Sequence, residues 1–136
     1  MTGPALTGHC LCGAVTFRAE GPPLWCGHCH CESCRRHTGA AMATFVRVRR
    51  AGLEIDGPVA SYASSPGRTR SHCGTCGSPL AFLWDERPDS VDLMAALLDD
   101  AGSVTPTSHD FVEERIAWMH PLPEVATPPT RKEETP

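Results

Sequence analysis

Eight cysteines stand at positions 10, 12, 26, 29, 31, 34, 73 and 76 of this 136-residue chain, and their spacing carries more chemistry than any other feature. They fall as Cys10-x-Cys12, Cys26-x2-Cys29-x-Cys31-x2-Cys34 and Cys73-x2-Cys76. A two-residue spacer lets a tight turn point both sulfurs at one tetrahedral ion, with Zn–S near ~2.3 Å, but supplies only half of its ligands. Knuckles must therefore pair across the sequence, and the pattern predicts two zinc ions per chain.

One partition closes Cys10, Cys12, Cys73 and Cys76 around a first ion, tying an N-terminal turn to the middle of the chain. Four thiolates fill the tetrahedron and leave no position for chemistry, so this site reads as structural. Cys26, Cys29, Cys31 and Cys34 remain. If all four bind, the second site is also closed, and the protein is a non-catalytic zinc-stabilised binding module. If Cys29, Cys31 and Cys34 bind without Cys26, an open position can hold water or an incoming thiolate, lower its pKa and activate it. The spacing leaves Cys26 as a candidate fourth ligand and does not choose between these two readings. His28, His30 and His37 stand near the ligands as candidates for proton transfer, since histidine titrates near neutrality. His72 reads as a structural neighbour of Cys73.

A disulfide framework is the competing account, and it belongs to oxidising compartments. Met1 to Thr7 has neither a basic nor an apolar signal region. No run approaches the roughly 18 apolar residues of a membrane span. The reading is therefore a cytoplasmic chain whose cysteines bind metal. Twelve basic against sixteen acidic residues give a formal charge of −4, which argues against nonspecific nucleic-acid binding, because that depends on a basic face. The arginines crowd into the middle, from Arg35 to Arg70, so a local anion site is compatible with the overall charge.

The elements that must position these groups are short. Thirteen prolines and twelve glycines argue against long helices, and segments rich in Val, Phe and Thr suit strands. Ala14–Glu20 alternates with period two and is closed by Gly21-Pro22-Pro23. Leu24 to Cys31 leads into a helical turn over Glu32–Thr38 that Gly39 ends. Strands are expected at Met42–Val48, Leu53–Ile55, Val59–Tyr62, Thr69–Cys73 and Pro79–Trp84, with a cysteine knuckle between the last two. Ser90–Ala95 reads as a strand, although Ala95–Leu98 could enter a helical turn. The length makes one domain over residues 1–123. Residues 124–136, rich in Pro, Thr and Glu, read as a mobile tail.

Three linked motifs carry a resemblance: Gly8-His9-Cys10-Leu11-Cys12-Gly13-Ala14-Val15, Cys29-His30-Cys31-Glu32-Ser33-Cys34-Arg35-Arg36-His37-Thr38-Gly39, and Cys73-Gly74-Thr75-Cys76-Gly77-Ser78-Pro79-Leu80. In order, spacing and flanking glycines the chain resembles the glutathione-dependent formaldehyde-activating enzyme family, which also includes centromere protein V. Weaker agreement runs through His109 and Trp118 to Leu122-Pro123. The resemblance implies a mainly β fold, the β-tent of small antiparallel sheets. It implies a structural zinc on Cys10, Cys12, Cys73 and Cys76, and a second zinc on Cys29, Cys31 and Cys34.

It further implies that glutathione, as cosubstrate, places its sulfur at the second metal and adds to formaldehyde to give S-hydroxymethylglutathione, a carbon–sulfur lyase activity. Arg35 and Arg36, directly after Cys34, are then candidates for the glutathione carboxylates, since a planar guanidinium suits bidentate contacts. The partners would be a small thiol and a small aldehyde. The family pattern does not require Cys26. A methionine sulfoxide reductase of related fold is a further reading, for which Cys26 is the nominal redox cysteine.

Overall fold

The computed structural model describes residues 4–119, and within them the regular structure is mostly short strands. The strands are β1 (Leu6–His9), β2 (Thr16–Ala19), β3 (Trp25–Cys29), β4 (Ala43–Arg49), β5 (Leu53–Asp56), β6 (Val59–Ser65), β7 (Arg68–Cys73), β8 (Pro79–Trp84), β9 (Ser90–Met94) and β10 (His109–Asp110). One seven-residue helix, α1 (Glu32–Thr38), lies between β3 and β4. A small sheet has the order β1-β2-β5, and a seven-stranded sheet has the order β10-β3-β4-β9-β8-β7-β6. The mainly β expectation holds, with one difference from an all-antiparallel fold: β10 runs parallel to β3, pairing His109 with His28 and Asp110 with Cys29.

Two adjacent rows across the large sheet show how it positions the cysteines. Trp25, Arg47, Asp92, Phe82, Arg70 and Tyr62 lie opposite one another in register, strand by strand. The next row is Cys26, Val46, Leu93, Ala81, Ser71 and Ser61. Successive strand residues point to opposite faces, so the rows belong to different layers. Cys26, Val46, Leu93 and Ala81 join the core with Val15, Phe17 and Ala19 from around β2, together with Cys10 and Cys73. The small sheet covers that face. The opposite face carries Phe45 and Phe82 with Cys29, Cys31 and Cys34, and is flanked by partly buried Trp25, Trp84 and Met94. Fully burying a side chain such as Phe45, Phe82 or Leu93 contributes about 1.5–3 kcal/mol, so each layer has a real anchor.

Three strands escape the sequence pattern. β1 and β3 each contain a glycine, and four of the five residues of β3 are buried, so β3 has no polar face to betray a period of two. β10 is too short to show any pattern. Ser90–Met94 is a strand and Ala95–Leu97 then forms a 3₁₀ turn, so both expectations at that point are met in succession. Gly39, with φ of 73°, ends α1 in the left-handed conformation and donates its N–H to the Arg35 carbonyl at 2.7 Å. That conformation is one a side chain would strain.

No helix among the described residues is long and apolar enough to cross a membrane. The expected tail, residues 124–136, lies outside the described residues, as do residues 120–123 of the expected domain.

Candidate functional site

All eight cysteines are unbridged, and seven of them gather into two clusters. The first joins Cys10 and Cys12, in the turn between β1 and β2, to Cys73 at the end of β7 and Cys76 in the turn before β8. All four sulfurs lie within 4.8 Å of one another; Cys10 to Cys12 is 3.6 Å and Cys12 to Cys73 is 3.9 Å. A tetrahedral ion with Zn–S of about 2.3 Å would set its sulfurs roughly 3.8 Å apart, so the donor set fits zinc without rearrangement. The local hydrogen bonds suit thiolates: Val15 N–H donates to Cys10 Sγ at 3.3 Å and Ala14 N–H to Cys12 Sγ at 3.5 Å. The N–H groups of Thr75 and Cys76 donate to Cys73 Sγ at 3.3 and 3.4 Å. Ser78 couples the two turns, because its Oγ accepts from Leu11 N–H and lies 3.2 Å from Cys76 Sγ. Hydrogen bonds from the Ser78 hydroxyl and backbone pull the Cys76 thiol down to about 5.

The second cluster is Cys29, Cys31 and Cys34, again within 4.8 Å of one another. Cys29 ends β3, Cys31 is the N-cap of α1, and Cys34 lies in that helix's first turn. The cap is made by sulfur: Cys31 Sγ accepts from Cys34 N–H at 3.3 Å. Cys29 and Cys34 are fully buried, whereas Cys31 is 8% exposed and lines a cavity of about 240 Å³. Ser33, Ser64, Ser65, Arg68, Arg70, Phe111 and Glu114 complete that cavity. Hydrogen bonds from the Cys29 and Cys34 thiols, with Arg70 nearby, hold the Cys31 thiol far down, so it ionises first. The same contacts push Cys29 up, and the Cys34 thiol stands at about 11. Three soft sulfurs, one already disposed to be a thiolate, form a donor set suited to zinc.

Cys26 does not join this set. Three residues before Cys29 on the same strand, it leaves β3 on the opposite face and packs in the core beneath the small sheet. Burial pushes its thiol up to about 11. The alternation of β3 thus keeps Cys26, the candidate fourth ligand, away from Cys29, Cys31 and Cys34. The same burial and raised pKa deny it the reactive thiolate that a redox cysteine needs.

Arg35 and Arg36 also stand apart from the Cys31 cavity. Arg36 pairs with Glu32 at 2.7 Å and is 77% exposed, and Arg35 donates to the carbonyls of His30 and Glu114. The two arginines line a separate depression with Gly39, Ala40, Ile116 and Trp118. The cations at the sulfur site are Arg68 and Arg70, one strand residue apart on β7. Their signal in the sequence was the i, i+2 spacing within the strand that runs into Cys73, which places both on one face.

The histidines form a row of their own. His30 Nε2 lies 2.9 Å from His109 Nδ1, His28 Nδ1 lies 2.8 Å from Thr44 Oγ1, and the rings of His28 and His30 lie 4.9 and 5.1 Å from that of His109. Burial pulls both His28 and His30 down to about 4, so they are neutral at pH 7. His28 leaves β3 on the face opposite Cys29. His109 was visible in the sequence only as weak family agreement, and it is the parallel pairing of β10 with β3 that brings it here.

The fold and the site together define a mainly β protein with two cysteine clusters, one of four sulfurs and one of three, whose donor sets could each hold a metal ion. The family model for the glutathione-dependent formaldehyde-activating enzyme matches residues 5–114, and the chain belongs to that family. It is 31% identical over 104 residues to an uncharacterized lyase of Schizosaccharomyces pombe, covering 75% of this chain and 74% of that protein. It is also 31% identical over 131 residues to a protein of Halomonas elongata named as a putative glutathione-dependent formaldehyde-activating enzyme, covering 84% and 79%. The crystal structure of a Rhodobacter sphaeroides protein shares the fold, with a TM-score of 0.62 at 23% identity over 92% of this chain and 99% of that one.

Proposed function

We propose that this protein is a carbon–sulfur lyase that joins glutathione, or a related small thiol, to formaldehyde or another small aldehyde at the Cys29, Cys31 and Cys34 site. The observation that carries the reading is the inequality of the two clusters. Among the described residues, four sulfurs converge in one and three in the other, and the three-sulfur set borders a cavity through Cys31. Cys10, Cys12, Cys73 and Cys76 would hold a structural zinc, and Cys29, Cys31 and Cys34 a second. At the second site the ion would supply the charge that keeps an incoming thiol deprotonated near neutral pH.

The chain's own residues do the rest. The cavity holds thiol and aldehyde side by side, and such positioning can supply a large part of a rate enhancement. As the thiolate sulfur attacks the carbonyl carbon, a C–S bond forms and the C=O π pair becomes an alkoxide. Arg68, Ser64 and Ser65 border that space and can donate to the new oxygen. The alkoxide then takes up the proton the thiol lost, giving the hydroxymethyl thioether. The names of the relatives from S. pombe and H. elongata support a lyase and a glutathione-dependent aldehyde reaction.

The test is to load the protein with cobalt and titrate glutathione while following thiolate-to-metal and ligand-field absorption. A saturable change, followed by formaldehyde-dependent formation of the hydroxymethyl thioether, supports the reading. An unchanged spectrum with two cobalt ions per chain would refute it.

A further inference from the structure

Arg70 is buried to 4% exposure, yet among the described residues it makes no ion pair with a carboxylate. The contrast with its neighbours on the same face is direct: Arg47 and Arg87 both pair with buried Asp92, at 2.7 and 3.4 Å. Arg70 instead spends its donors on Ser64 Oγ, at 3.2 Å from Nε, and on Cys34 Sγ, at 3.5 Å from Nη1, while its guanidinium lies 4.7 Å from the centre of the Phe82 ring. A buried guanidinium stays charged and needs an anion. The sulfur it touches belongs to the three-cysteine set, which would be anionic once an ion is bound. The four-cysteine site is built differently, since its sulfurs are met by backbone N–H groups and the Ser78 hydroxyl.

We propose that Arg70 is the positioning residue of the three-cysteine site: its fixed charge against Cys34 balances the thiolates and makes room for a fourth, anionic sulfur from the substrate. Three thiolates on a divalent ion leave one net negative charge, which Arg70 cancels. With an ion bound, an incoming thiolate would meet a neutral assembly rather than an anionic one. Arg70 acts through Cys34 and need not touch the substrate. Ser64 fixes the guanidinium by accepting from Nε, and Phe82 fixes it from the ring face. The inference rests on the open-site reading given above.

The experiment titrates the cobalt-loaded protein with two thiols, neutral 2-mercaptoethanol and carboxylate-bearing 3-mercaptopropionate, in wild type, R70Q, R70K and S64A. Removing the charge in R70Q is expected to weaken both thiols equally, by at least about tenfold, the scale of a hydrogen bond to a charged group. R70K keeps the charge and should recover most of that loss, which filling the space beside Phe82 would not do. S64A keeps Arg70 but releases Nε, and should weaken both thiols about threefold. Wild-type affinity in R70Q overturns the proposal, and so does a loss confined to 3-mercaptopropionate, which would make Arg70 a contact for the substrate carboxylate. If R70Q is not recovered with two metals bound, unchanged affinity in S64A overturns it as well. A wild-type protein whose spectrum ignores both thiols defeats the open-site reading itself. A responsive wild type with an unaffected R70Q defeats the role of Arg70 alone.

Discussion

The two faces of the seven-stranded sheet each carry a cysteine cluster, and the clusters are held in opposite ways. On one face, Cys10 and Cys12 come from the small sheet's turn while Cys73 and Cys76 come from the β7–β8 turn, so the cluster joins segments more than sixty residues apart in the chain. On the other, Cys29, Cys31 and Cys34 lie within six residues of one another, so an ion on them would close only a short loop. A crosslink between remote segments removes far more freedom from the unfolded chain than one within a single turn. On the proposed reading, the four-sulfur cluster would serve folding, while the local cluster, bordering a cavity and facing a buried cation, would be left for chemistry.

The comparison breaks most visibly at Cys73. Cys73→Ser removes one of four ligands from the crosslinking site, and structural zinc in small domains contributes on the order of 10–16 kcal/mol, comparable to a whole domain's stability. The expected outcome is an unfolded or insoluble chain, checked by circular dichroism and by metal content after mild chelation of the purified fraction.

Cys31→Ser addresses the other face and should separate function from folding. Serine is itself a favoured N-cap, so the hydrogen bond from Cys34 N–H and the start of α1 survive the change. Metal content should fall from two ions to one, the cobalt response to glutathione should vanish, and aldehyde-dependent turnover should drop by about a hundredfold or more, the scale seen when a catalytic electrostatic group is lost. The melting temperature should stay within about 5 °C of wild type, equivalent to roughly 1 kcal/mol. A melt that collapses with the metal would erase the distinction between the clusters.

A smaller effect sharpens the border between the faces. Cys26→Ser puts a hydroxyl in the apolar core between the sheets, at a cost of about 1–3 kcal/mol. Metal content should remain two ions per chain and the thiol titration should be unchanged. Loss of one ion would return Cys26 to the ligand set.

Much of this arrangement could be read before the coordinates. The four-cysteine partition followed from knuckle spacing, the three-cysteine set only from the family resemblance, and the strand at Ser90–Met94 from alternating apolar residues. What stayed hidden was whatever depends on a strand without a polar face. β3 is buried on both sides, so its alternation left no trace, and with it went the knowledge that Cys26 and Cys29 point to opposite layers. The cation that touches a sulfur stayed hidden as well. Arg35 and Arg36 lie next to Cys34 in sequence but turn outward on a short helix, whereas Arg70, thirty-six residues away, reaches Cys34 because β7 lies across the sheet from β3. Proximity along the chain was a good guide for sulfurs held by one turn and a poor one for groups brought in by sheet pairing.

Arg36 supplies the mildest test of that last point. Its side chain is 77% exposed and pairs with Glu32 one helical turn away, an arrangement that adds little to stability. It borders the depression with Trp118 rather than the cavity at Cys31. Arg36→Ala should therefore shift the melting temperature by no more than about 2 °C. It should leave the affinities for 2-mercaptoethanol and glutathione within about twofold of wild type, since an exposed charge beyond the cavity is largely screened. Comparing the two thiols is what makes the measurement decisive. If glutathione alone weakens by tenfold, its carboxylates extend from the sulfur site to this depression, and α1 would serve both faces of the reaction, holding the metal through Cys31 and Cys34 and the cosubstrate's far end through Arg36.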